Sequence, residues 1–176
     1  MKLSVVAVLA LFLSIGVSHA AKSSKVEFKN KEQDKKVEVF VDGKFFTAYI
    51  YPDNMEKQSL YPIVSASGKI ITRGYPMNPR PFERTDHPHH VGLWFNFGDV
   101  NGLDFWNNSF AIKAADKPKY GTVKFKKIVS ENPKKGELVT ASEWVDVNNK
   151  VLLNEETTFT FAGTGNLRTI ERASKL

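Results

Sequence analysis

An all-β fold, an antiparallel β-sandwich-like domain, is what this 176-residue sequence predicts. Three observations carry the expectation. Branched and aromatic residues alternate with polar ones at the two-residue period of a half-buried strand. Turn formers, Asp42-Gly43 and Asn148-Asn149 among them, separate the alternating runs. No stretch after the N-terminal segment holds a helical apolar period for three turns, which leaves sheet as the means of burying apolar side chains.

Taken in order, Val37, Val39 and Val41 alternate with Glu38, Phe40 and Asp42, and Asp42-Gly43 turns the chain into Phe45–Tyr51. Leu60–Val64, the turn Ser67-Gly68 and Ile70–Thr72 predict a second hairpin. Strands are predicted at Thr122–Val129, Glu137–Val145 and Val151–Phe161, with Asn148-Asn149 turning between the last two. Another strand begins at Leu167-Arg168-Thr169-Ile170, close to the last residue, so the domain is expected to be incomplete at its C-terminus.

The ends and the composition bound the class. Lys2, the apolar stretch Val5–Val17 and Ser18-His19-Ala20 form a secretory signal over residues 1–20, with cleavage near Ala20. A single β-rich domain is expected over residues 21–176, exported to a periplasm or secreted. Its apolar stretch is too short for a stable membrane span, and none follows it. The absence of cysteine removes disulfides, thiol catalysis and a lipid anchor on cysteine, so the domain must be held by burial alone. The net charge is +6, but the lysines scatter among glutamates without a nucleic-acid motif, so a nucleic-acid partner is not expected. The final Ser174-Lys175-Leu176 matches a peroxisomal address, a short pattern that contradicts the N-terminal signal.

One segment breaks the alternation. Tyr75–Asn108 carries Pro76, Pro79, Pro81 and Pro88 with Gly92, Gly98 and Gly102, and long irregular segments inside small domains are usually functional. It also holds three of the four histidines, His87, His89 and His90, followed by Trp94, Phe95, Asp99, Asn101, Asp104, Phe105 and Trp106. Exposing all its aromatic residues would leave a large apolar patch, so they must pack under the sheet or line a pocket.

Three chemistries suit these residue types. Pro88 favours extended backbone at His87, which would place His87 and His89 on one side and His90 on the other. That pair, with a carboxylate from Asp86, Asp99 or Asp104, could bind a divalent transition metal. The spacing is that of cupin metal sites, but the glutamate those sites require does not follow. Alternatively, a histidine oriented by Asp86 moves a proton while Arg73 or Arg84 stabilises an oxyanion, with Asp104 as a second carboxylate. The third is binding: Trp94 and Trp106 stack on sugar rings while Asp99, Asn101 and neighbouring amides bond hydroxyls. Against all three stands a structural role, with Asp86 and Asp104 capping turns and Asn101-Gly102 a plain turn.

Tyr49-Ile50-Tyr51-Pro52, Leu60-Tyr61-Pro62, Thr72-Arg73-Gly74-Tyr75-Pro76, Glu83-Arg84-Thr85-Asp86-His87-Pro88-His89-His90-Val91-Gly92-Leu93-Trp94 and Asp99-Val100-Asn101-Gly102-Leu103-Asp104-Phe105-Trp106 follow in order. Together they resemble the bacterial PmoA-like family, exported proteins of unknown function labelled "methane oxygenase PmoA". The resemblance covers Lys25–Arg172 and implies a domain that continues further. It implies no catalytic roles; the setting of such proteins among sugar-degrading genes implies carbohydrate chemistry. The expectation is therefore an exported domain that recognises a carbohydrate or small molecule, with or without processing it. His87, His89, Asp86, Asp104 and Arg84 are its candidate catalytic residues. Trp94, Trp106, Asn101, Asp99 and Arg73 are its candidate binding residues. A glycan-binding module without catalysis and a mononuclear His-x-His metalloprotein are the alternatives.

Overall fold

Valines at alternate positions set the first sheet. In a computed structural model, which describes residues 24–176, β2 (Lys36–Val41) buries Val37, Val39 and Val41 completely between half-buried Lys36, Glu38 and Phe40. Asp42 and Gly43 both adopt positive φ (53° and 73°), the geometry of a tight turn whose twist matches the strands it joins, and lead into β3 (Lys44–Ile50). β1 (Val26–Lys31) pairs antiparallel with β2, and the two-residue β4 (Ser59–Leu60) pairs with β3, giving the order β1-β2-β3-β4.

The second sheet is a meander of longer strands: β5 (Thr122–Asn132), β6 (Glu137–Val145), β7 (Val151–Thr164) and β8 (Leu167–Lys175), all antiparallel. Asp146 organises its β6–β7 turn, its carboxylate accepting from the backbone N–H of Asn148 and Lys150. The expected all-β sandwich is thus the observed one. β6 has the expected bounds, β1 was not anticipated, and the Leu60–Thr72 hairpin narrows to one isolated bridge, Val64 with Ile70. The expected signal, residues 1–20, lies outside the described residues. Among the described residues no helix is long and apolar enough to cross a membrane.

The inner faces meet in an aromatic and aliphatic core. Val37, Val39, Val41, Tyr49 and Leu60 of the first sheet pack with Leu138, Phe159 and Phe161 of the second. Tyr49 lies 5.6 Å from Phe159, and Phe46 lies 6.2 Å from Phe161 at 86°. Phe46 reaches this face because a bulge opposite Val39/Phe40 inserts a residue into β3. Beside the core runs a polar network. Glu155, 5% exposed, accepts from Trp144 Nε1 (2.7 Å), Arg172 Nη2 (2.5 Å) and Thr157 Oγ1 (2.5 Å).

The outer side of β3 is not left to water. Ala48 and Ile50 are buried beneath Val91, with Met55 and Tyr61 beside them. The segment from Tyr75 to Asn108 therefore folds over the first sheet and continues onto the second, where Phe105 is fully buried against Trp144 at 4.8 Å. Its aromatic residues divide: Phe105 enters the core, Phe95 is half-buried against Trp144, and Phe97 and Trp106 stay exposed.

Removing the Glu155 carboxylate would strand the half-buried Arg172 guanidinium and the buried Trp144 N–H together. Glu155→Ala is expected to lower the unfolding free energy in a denaturant titration by roughly 3–5 kcal/mol, and Glu155→Gln by less. A loss for Glu155→Ala below about 1 kcal/mol would mean that water or other side chains satisfy both groups.

Candidate functional site

Backbone pairing pins the histidine-bearing segment to the first sheet. Leu60 and Leu93 exchange backbone hydrogen bonds at 2.9 and 3.1 Å, and Ser59 Oγ donates to the Val91 carbonyl. Gly92 makes the approach possible: at φ +59° a Cβ there would stand 2.2 Å from the Leu60 carbonyl oxygen. The chain just before this clamp is His87-Pro88-His89-His90, and it forms a turn. His90 N–H donates to the His87 carbonyl at 3.0 Å, and His87 adopts φ +53°.

This turn corrects the expected extended geometry. Proline's fixed φ suits the second position of a β-turn as well as it suits a strand, and histidine tolerates positive φ better than most side chains. The first and fourth turn residues are neighbours, so His87 stacks on His90, ring centroids 5.0 Å apart at 20°. His90 does not point away but becomes the hub. Its ring lies 4.3 Å from His89, 5.9 Å from Trp94 and 6.3 Å from Trp106, and the two indoles meet edge to face at 4.6 Å.

Asp86 and the arginines act together. Arg84 Nη2 lies 2.6 Å from Asp86 Oδ2, Arg73 Nη1 lies 3.8 Å from Oδ1, and His87 Nδ1 lies 3.2 Å from Oδ2. Partial desolvation pushes the Asp86 carboxyl up, but Arg84, His87 and Arg73 together hold it below its usual value. Arg73 also donates to the backbone carbonyls of Arg84 (2.9 Å) and Asp86 (2.6 Å). Both guanidinium groups thus hold Asp86 and the loop, and Asp86 in turn orients His87.

The remaining expected residues have turn partners. Asp104 accepts from the backbone N–H of Asn107 (2.9 Å) and from its amide Nδ2 (2.7 Å). Asp99 accepts from Gly102 N–H in the exposed turn that Asn101, at φ +52°, helps to form. Asp99 and Asn101 therefore shape a turn of their own, and Asp104 caps the turn that carries Trp106.

Sequence reasoning missed Lys57. This lysine is only 5% exposed. Its Nζ donates to the Trp106 carbonyl at 2.6 Å and stands 4.4 Å from the Trp94 ring centroid. The signal available was its position two residues before Ser59, which puts both side chains on the buried side of an extended chain. Burial pushes the Lys57 ammonium down to about 8, against the opposing pull of Glu56 and Asp104. Burial, with the charges of His90, Lys57 and His87, pushes His89 down to about 4, and His90 shifts the same way. At neutral pH the site therefore presents uncharged His89 and His90 imidazoles beside a buried ammonium.

Lys57 and His89 line a cleft of about 240 Å³ whose walls include Met55, Pro76, Met77, Pro88 and Val91, with Phe110 at its rim. Among the described residues, no three His, Asp or Glu side chains are placed to hold one metal ion. His87 and His89 stand edge to face, their ring centroids 5.6 Å apart.

The chain belongs to a family of unknown function, DUF6807, whose model matches residues 36–176. No curated protein and no solved structure matches it.

Lys57 gives the fold a readable pH dependence. Its folded value, about 8, lies below the ordinary 10.5, so between these values the unfolded chain holds the extra proton. Stability should rise with pH across that window, by on the order of 2–3 kcal/mol in total. Lys57→Met should lack this rise in denaturant titrations at pH 8 and 10.5, and an equal rise in the variant would assign it to other groups.

Proposed function

We propose that this DUF6807 member binds a carbohydrate on the Trp94–Trp106 corner, with His89, His90 and Lys57 as its polar partners. The observation that supports this best is the pair of indoles at 4.6 Å, one of them 42% exposed, beside imidazoles and an apolar-walled cleft. An aromatic face left open to water next to hydrogen-bonding groups is the arrangement a sugar ring requires: its C–H face stacks while its hydroxyls find donors and acceptors. Neutral imidazoles serve well here, since each offers one N–H donor and one nitrogen acceptor. Export through residues 1–20 and kinship to PmoA-like proteins belong to the same proposal.

A second reading rests on the Asp86–His87 pair. A carboxylate 3.2 Å from an imidazole Nδ1 orients the ring, which is how a histidine is positioned to take up a proton from a substrate. In that case the domain processes the sugar it binds. Asp86 would be the positioning residue and His87 the base.

The two readings separate by mutation. Trp106→Ala is expected to weaken retention in a glycan-array screen about tenfold, as loss of one stacking contact of ~1–1.5 kcal/mol implies, with melting nearly unchanged. His87→Ala should bind as the wild type does, and any turnover should vanish in it. Unaltered binding by Trp106→Ala would remove the sugar platform from the account. Persistent turnover by a folded His87→Ala would remove the base.

A further inference from the structure

We infer that the ligand of the Trp94–Trp106 corner carries a carboxylate, as a hexuronate does, and that the Lys57 ammonium receives it. This rests on the carbohydrate reading above and narrows it to acidic sugars.

A lysine ammonium has three N–H donors. One of Lys57's donates to the Trp106 carbonyl at 2.6 Å, and the Trp94 ring face lies 4.4 Å away. Among the described residues Nζ has no other hydrogen bond and no ion pair. The two carboxylates that act on it are committed elsewhere: Glu56 to Lys117 at 3.3 Å, and Asp104 to Asn107. Burying a charge without a counter-ion is costly, and a buried lysine is normally paired. A neutral hydroxyl would satisfy an N–H but leave the charge, whereas a carboxylate satisfies both.

Placement favours a sugar acid over a bare anion. The ammonium touches the backbone of Trp106 and the face of Trp94, so it stands beside both residues of the corner on which the ring is proposed to stack. Lys57 also lines the cleft, beside His89. The two exposed-side cations, Arg73 and Arg84, are already engaged by Asp86 and do not compete for the incoming group. His89 and His90, uncharged at neutral pH, can add donors to the same oxygens.

The test is isothermal titration of the full chain with glucuronate and galacturonate beside glucose and galactose, in the wild type, Lys57→Met and Lys57→Gln. The expected result is a preference of tenfold or more for the uronates in the wild type. That preference should be lost in both variants, each of which should bind the uronates and the neutral sugars with equal affinity. Equal affinity of the wild type for charged and neutral sugars would overturn this inference and leave the carbohydrate reading standing. So would a preference that survives in either variant. Binding of neither kind of sugar by the wild type would overturn both. The wild-type comparison decides even if a variant does not fold.

Discussion

The outer face of β3 must be buried, and the way the chain buries it governs everything else. Ala48 and Ile50 point away from the sandwich interior, so the sheet needs a second cover. The segment from Tyr75 to Asn108 supplies it, anchored at one end by Val91 and the Leu60–Leu93 backbone pair and at the other by Phe105 against Trp144. Around these anchors the chain runs in turns: His87–His90 just before the first, Asp99–Gly102 between the two, and Asp104–Asn107 across the second. Side chains held on turns beside fixed points are well placed without being consumed by the core, which is how a scaffold presents a site.

The electrostatics follow from the same placement. Folding the segment over β4 encloses Lys57, and burial first, then the neighbouring imidazoles and the enclosed ammonium, lowers the basicity of His89 and His90. Asp86 lies toward the outside, where Arg73 and Arg84 keep it charged and pointed at His87. The site thus has a dry side, with one cation and two neutral rings, and a wet side, with a carboxylate–imidazole pair. The proposed binding draws on the first and the proposed proton transfer on the second.

Much of the fold was legible in the sequence because two-residue alternation is a local signal. Val37, Val39 and Val41 declared the core face of β2, and the run Glu137–Val145 gave β6 its bounds. β1 escaped because only Val26 and Phe28 are apolar in an edge strand whose second half is polar and exposed. The location of the site was legible in the histidine cluster, but its internal geometry was not. His90 is central because a turn brings residues 87 and 90 together, and Pro88 is compatible with both a turn and a strand. Lys57 was silent for a different reason: a lysine's burial is decided by what folds over it, and the residues that do so lie 30 or more positions away, as Val91 lies from Ser59.

The most direct test of the account is the response of the indole N–H signals of the three tryptophans to sugar, followed by nuclear magnetic resonance. Trp144 is fully buried, with its Nε1 held by Glu155, and serves as an internal reference. The account predicts that the Trp94 and Trp106 signals shift together and saturate during titration with a hexuronate, while Trp144 stays fixed. Signals for Trp94 and Trp106 that never move, or a Trp144 signal that moves with them, would contradict a sugar site on that corner.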